Sequence, residues 1–290
     1  MTHRLPKFVV YPLASVLLAL GLLMGLGAAA GASTTHSASS SPSAQAAATA
    51  KAAIKQLMIG QHSSIHRVSG YAPQVKGLTQ VESTNWSGYA DTGSSFSNVS
   101  GHWTEPSASC SRRTTSLAAF WVGIDGYSSD SVEQDGTLIE CYEGTAYQYT
   151  WWEMYPTNDI QVVGETLAAG DSISASVVRS GSDYTLAVTD STHSANSFST
   201  TQSCSSCANS SAEWIAEAPS GSSGVYPLAH FSTWTASSAA VTEGSTSGVI
   251  SSFTDDEITM VGSETGAVTA QPGSLNSSGN GFSVTWEGAD

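Results

Sequence analysis

Ser172-Ile173-Ser174-Ala175-Ser176-Val177 and Tyr184-Thr185-Leu186-Ala187-Val188 each place an apolar residue at every second position. That period belongs to strands with one buried face. Short segments of the same texture recur between Gly, Ser and Asp clusters from about residue 81 onward. Further strand candidates are 118–124, 146–154, 211–217, 248–253, 258–262 and 281–287. Long helical periodicity and internal repeats are absent. Many short strands with regular turn signals predict an all-β fold, an antiparallel sandwich or barrel. The roughly 210 residues of this region suffice for one two-sheet core.

Upstream the chain changes character. Residues 1–80 hold six of the nine Lys and Arg and no Asp or Glu. Residues 81–290 hold all 24 carboxylates against three arginines, a net charge of −21. Such self-repulsion opposes compactness at neutral pH and fades near pH 3, as carboxyls with ordinary values of about 4 take up protons. The acidic piece reads as built for acid, and the basic front piece as something that shields it until shed. Arg4 and Lys7, an apolar run from Val9 to Ala30, and Ala30-Gly31-Ala32 follow the plan of a secretory signal peptide over residues 1–32. A retained membrane anchor is the alternative, because the run is about long enough to span a bilayer. Residues 33–50 have little to bury and read as a disordered spacer, and 51–60 predict a short amphipathic helix. Residues 33–80 together read as a linker or propeptide, and 81–290 as the main domain. The expected product is secreted and extracellular.

Four cysteines suit an oxidising compartment. Proximity favours Cys110–Cys141 and Cys204–Cys207 among the three possible pairings. The Cys204-x-x-Cys207 spacing also admits zinc, but no second ligand pair is evident. All eight tryptophans lie in the main domain, and adjacent Trp151 and Trp152 must face opposite sides of their strand.

The candidate chemistry narrows by elimination. There is no Gly-x-Ser-x-Gly elbow, and in acid a histidine is protonated and unfit as a general base. Asp91-Thr92-Gly93-Ser94 matches one pepsin-like element, but that mechanism needs two such elements, and Asp-Thr-Gly is also ordinary turn chemistry. Glu153, Glu213 and Glu217 lie in aromatic strand segments, where desolvation can tune a carboxyl. Glu213 and Glu217, four apart, share a face on a regular strand. Two such acids across an aromatic cleft would also suit a glycosidase, and Trp-lined sheets suit a carbohydrate-binding module. A surface adhesion protein held by residues 9–30 is a third possibility.

Four segments carry a resemblance. They are Asn85-Trp86-Ser87-Gly88; Trp121-Val122-Gly123-Ile124-Asp125-Gly126 with Gln134 and Gly136 downstream; Trp151-Trp152-Glu153-Met154-Tyr155-Pro156; and Ala212-Glu213-Trp214-Ile215-Ala216-Glu217. In this order and spacing they resemble the glutamic peptidases, or eqolisins (peptidase family G1, formerly A4). The resemblance implies a concanavalin- or jelly-roll-like sandwich of two antiparallel sheets and an acid-active endopeptidase with a Gln/Glu dyad. By position the dyad is Gln134 and Glu217. Trp86, Trp121, Asp125, Trp151, Glu153 and Tyr155 fall where the family places substrate-binding aromatic walls and supporting acids, and Glu213 where it has a further acid. The Gln134–Trp151 interval is a few residues longer than the family pattern. Tyr149 replaces an acid, and Pro219 stands where an aromatic might sit. The resemblance implies no cofactor or metal. Polypeptide substrates are expected, with no nucleic-acid partner, no stable membrane association after signal cleavage, and a monomeric state.

Overall fold

The computed structural model describes residues 44–57, 65–68, 74–75, 78–164, 166–222 and 224–289. In chain order its strands of five or more residues begin with β1 (Leu78–Ser83), β2 (Trp86–Thr92), β3 (Phe96–Thr104), β4 (Ser116–Asp125) and β5 (Val132–Tyr142). There follow β6 (Thr145–Tyr155), β7 (Asn158–Val162), β8 (Ser172–Ser180), β9 (Asp183–Asp190) and β10 (Phe198–Ser203). The last are β11 (Ser211–Glu217), β12 (Trp234–Glu243), β13 (Thr254–Val261), β14 (Val268–Pro272) and β15 (Phe282–Trp286). One α-helix among the described residues, α1 (Ala44–Leu57), precedes them.

The first sheet runs β7-β6-β5-β4-β11-β2-β13, all antiparallel. It continues through β14 and β15 to the start of β12, with β1 parallel beside β13. The second sheet runs β12-β3-β8-β9-β10. Strand β12 belongs to both. Trp234–Ala236 pair with β15, and from Ser237 the strand pairs with β3. Between Ser237 and Ala240 the register against β3 shifts, with Ser238 at φ 52°. A bulge of this kind bends and twists a strand, here from one sheet into the other.

Between the sheets lies the main core. Ile173, Ala175 and Val177 of β8 and Tyr184, Leu186 and Val188 of β9 meet Phe120, Val122, Ile139 and Trp214 from the first sheet. The period-two reading of 172–188 holds. Trp151 and Trp152 do face opposite sides, the first in a cluster on the outer face and the second against the core. Both expected disulfides, Cys110–Cys141 and Cys204–Cys207, are formed, which removes the zinc reading of the second pair.

Two local expectations are corrected. Of residues 248–253 only Gly248 lies in a strand, at the end of Thr246–Gly248; Ile250–Ser252 form a 3₁₀ turn, because the Ser252 hydroxyl accepts the Val249 N–H (3.1 Å) and diverts the backbone from the ladder. The helix expected at 51–60 begins at Ala44, inside the supposed spacer, because Ala46-Ala47-Ala48 are strong helix formers. The proposed leader and residues 33–43 lie outside the described residues. No described helix is long and apolar enough to cross a membrane.

Gly136 lies where two strands touch. A Cβ there would fall 2.0 Å from the Phe120 carbonyl oxygen and 2.7 Å from Trp121 Cα. Backbone cannot give way as a side chain can. Gly136→Ala is expected to destabilise the domain by about 3 kcal/mol or more, read as a drop in the denaturant midpoint at pH 4. Gly170→Ala, with nothing within 4 Å of its Cβ, should cost only the left-handed backbone strain, about 1–2 kcal/mol.

Candidate active site

Strand register lays out the outer face of the first sheet in rows. Across β6, β5, β4, β11 and β2, one row reads Glu153, Gln134, Gly123, Glu213, Ala90. The next reads Trp151, Gly136, Trp121, Ile215, Gly88. The third reads Tyr149, Leu138, Ala119, Glu217, Trp86. Alternation puts all of these on one face. Gln134 and Glu217 therefore sit on the same side of the sheet, in the first and third rows, with Trp121 in the row between.

Trp121 joins them. Its indole Nε1 donates to Glu217 Oε2 at 2.8 Å. The other end of the same ring lies over Gly123, where a Cβ would meet Trp121 Cζ3 at 2.8 Å and Gln134 Cβ at 3.2 Å. Gln134 Nε2 in turn donates to Glu153 Oε2 at 2.7 Å. That bond fixes the carboxamide and leaves Gln134 Oε1 without a partner among the described residues. Glu217 Oε1 is likewise unpartnered there. The Trp86 ring stands edge-on to Trp121, centroids 4.9 Å apart. Beside Glu217, residues Thr84, Ala218, Tyr226, Leu228 and Met260 help line an open cavity of about 530 Å³.

The electrostatics of Glu217 are a balance. Burial and then the neighbouring Glu153 push its pKa well above the ordinary carboxylate value. Trp121, Trp86 and Asn85 act in the opposite direction by favouring the ionised form. Glu213, on the same face, is also pushed well up, chiefly by burial. Glu140, one row beyond Leu138, accepts from the Tyr149 hydroxyl (3.1 Å) and is raised by burial to about 7.

The remaining expected site residues divide. Trp86, Trp121, Trp151 and Glu153 share the face with the dyad. Tyr155 and Asp125 lie one row beyond Glu153 and Gln134, each opposite Val132. Asp125 is engaged in fastening a loop. Its carboxylate accepts from the Asn209 and Ser210 amides (both 2.8 Å) and from the Ser210 and Ser131 hydroxyls. Asp91 occupies neither a turn nor the three rows above; it is buried near the end of β2, and burial followed by Asp255 and Glu243 raises it to about 9. The three histidines of residues 81–290 are engaged elsewhere: His102 meets Ser174 on the second sheet, His193 rests on Asp171 and His230 stacks on Trp286. Asn85 and Tyr149 are site neighbours that residue-type reasoning passes over. Asn85 was visible only as the first residue of the Asn-Trp-Ser-Gly segment.

Comparison with known proteins places this geometry. The sequence profile of the peptidase A4 family matches residues 84–285. Aspergillopepsin-2 of Aspergillus niger is 28% identical over 195 residues, covering 59% of this chain and 69% of its own length. Scytalidopepsin B of Scytalidium lignicola is 34% identical over 149 residues, covering 50% of this chain and 55% of its own. The fold is similar to that of scytalido-glutamic peptidase solved with a transition state analog inhibitor (25% identity, TM-score 0.60, 70% of this chain and 98% of that one).

Buried acids away from the dyad set the pH range of stability. Burial raises Asp91 to about 9, Glu105 to about 8 and, with Asp125 beside it, Glu133 to about 10. Below about pH 4 the folded and unfolded chains both hold these protons, and this stabilisation is fully present. As the pH rises toward those values the unfolded chain releases protons that the folded chain keeps. Each group then removes about 1.4 kcal/mol per pH unit. Tm is expected to fall steadily from pH 4 to pH 8, and the fall should be shallower in Asp91→Asn and in Glu133→Gln. Equal slopes in all three chains would contradict this assignment.

Proposed function

Because this chain belongs to the peptidase A4 family, the glutamic peptidases or eqolisins, we propose that it is a secreted endopeptidase that hydrolyses polypeptides in acid with Gln134 and Glu217 as its dyad. The observation that carries the reading is the single face on which the two side chains flank the Trp121 indole, each with one oxygen open. Relatives have been solved with a peptide-based transition state analog and with a tripeptide, which supports a polypeptide as the ligand of this face.

The chemistry follows from the residue types. Glu217, ionised, takes a proton from water as the water attacks the peptide carbonyl. The Gln134 carboxamide holds that water with its open oxygen and donates its second N–H to the developing oxyanion. Protonated Glu217 then returns its proton to the departing amine. Gln134 is uncharged at every pH, so it serves equally at low pH. Glu153 orients it through the 2.7 Å bond. In a glycosidase Glu153 and Glu217 would have to serve as acid and nucleophile; here Glu153 is occupied in holding Gln134, which disfavours that use.

The test is a pH profile of peptide hydrolysis. Glu217→Gln should lower kcat by about 10²–10⁴ and Gln134→Ala by about 10²–10³, while Asp91→Asn retains activity. Loss confined to Asp91→Asn would overturn the dyad. Removing a donor to a carboxylate raises its pKa. Trp121→Phe is therefore expected to move the ascending limb of kcat/KM to higher pH.

A further inference from the structure

The two disulfides differ in what they hold. Cys204 and Cys207 are separated by 3 in sequence, Cys110 and Cys141 by 31. Loop-closure entropy grows with the length of the closed loop, so the short bridge stabilises the chain far less than the long one. Hydrogen bonds already hold its segment, which joins β10 to β11. The Cys204 amide donates to the Ser182 carbonyl at 2.8 Å. Asn209 Nδ2 donates to the Cys207 carbonyl at 2.8 Å, and Asn209 Oδ1 accepts from the Tyr184 hydroxyl at 2.6 Å. The Asn209 and Ser210 amides are bound to Asp125. The bridge is therefore dispensable as a staple, and these bonds keep the two cysteines in place when it opens. Both cysteines are only half-buried, within reach of a solute.

Beside them lies Glu133 of β5. One of its carboxyl oxygens and the two sulfurs all lie within 4.8 Å of one another. Glu133 is fully buried, and neither oxygen completes a hydrogen bond among the described residues, although Asp125 and Ser131 stand next to it. An unpaired buried acid of this kind is costly and calls for a reason. Burial and then Asp125 raise it to about 10, so it carries its proton throughout the acid and neutral range. Tyr184 and Glu213 are the other acidic groups in electrostatic range. Arg179 acts the opposite way and favours the carboxylate.

We propose that Cys204–Cys207 is a thiol–disulfide exchange site with Glu133 as its proton donor and an external thiol as its co-reactant. The incoming thiolate attacks one sulfur of the bridge. A mixed disulfide forms, the Cys204–Cys207 bond breaks, and its electron pair departs on the other sulfur. Apolar surroundings make a thiolate a poor leaving group. Glu133 removes that penalty by passing its proton to the departing sulfur, and Arg179 balances the carboxylate left behind. A second external thiolate attacks the external sulfur of the mixed disulfide. It releases the remaining cysteine, which solvent protonates, and the external thiols end as a disulfide. Two electrons have passed to the cysteine pair, and Glu133 recovers a proton from solvent.

The test treats the folded full chain with dithiothreitol at pH 6, which supplies both external thiols in one molecule. Aliquots are trapped with excess N-ethylmaleimide and the labelled cysteines mapped by peptide mass. Cys204 and Cys207 should be labelled about tenfold faster than Cys110 and Cys141, or more. Glu133→Gln keeps the shape but has no acidic proton, and should slow labelling at 204 and 207 by about tenfold or more. Glu133→Asp should slow it less, and Asp91→Asn, which removes a buried acid elsewhere, should leave it unchanged. In denaturant the parent and Glu133→Gln should open at one rate, which ties the difference to the folded site. Equal rates in folded Glu133→Gln and its parent would overturn the role of Glu133. Labelling of all four cysteines at a single rate in the folded parent would overturn the exchange site itself.

Discussion

One indole ring organises the site. Trp121 reaches from Gly123, beside Gln134, to the Glu217 carboxyl, and it can lie flat along the sheet only because Gly123 and Gly136 present no side chain beneath or beside it. Glycine weakens a strand interior through backbone entropy and lost packing. In two adjacent central strands that cost is offset by a close approach that no other residue permits. The consequence is geometric: two groups from strands on either side of β4 are held at opposite edges of one rigid ring, so their spacing is set by aromatic bonds rather than by flexible rotamers. Trp86, edge-on to Trp121, limits the ring's remaining freedom.

The interior is as unusual as the site. Asp91, Glu105, Glu133, Asp135 and Glu213 are buried in a domain with three arginines and no lysine. An ionised carboxylate in such surroundings is costly without a cation, and the less costly state is the protonated acid. The surplus of acid in the sequence thus has two locations with different consequences. On the surface it sets self-repulsion, and in the interior it makes a low external pH the condition under which the packed state needs no compensating charge. Loop fastening draws on the same chemistry: Asp125 gathers four donors from residues 131, 209 and 210, joining two loops at the end of β4.

What the sequence disclosed depended on how many faces of a strand are buried. β8 and β9 bury one face, and their alternation was plain. β5 is buried from Val132 to Cys141 on both faces and carries Glu133, Gln134, Asp135 and Glu140, so neither alternation nor apolar content marks it as a strand. The residue at the centre of the site was legible only through its place in a family pattern. Asp125 illustrates the reverse limit: its position in the Ile-Asp-Gly segment suggested substrate contact, yet hydrogen-bond partners 84 and 85 residues away determine what its carboxylate does. The 3₁₀ turn at Ile250–Ser252 hinged on one hydroxyl, and the early start of α1 on an alanine run that composition alone classed as spacer.

Replacing one acid of a catalytic pair by a carboxamide changes what must be tuned. Two carboxyls facing one water share a proton, and each one's ionisation depends on the other's. In the proposed dyad of Gln134 and Glu217, only Glu217 would change protonation at the reacting atoms. Its balance has contributions of different permanence. The donors Trp121 and Asn85 and the neighbouring Glu153 are fixed by the sheet, whereas burial depends on what lies over the face. In the buried state seen here, desolvation is the largest influence and pushes the carboxyl's pKa up. Water entering over Glu217 would shrink the desolvation contribution and give the indole and amide donors more weight.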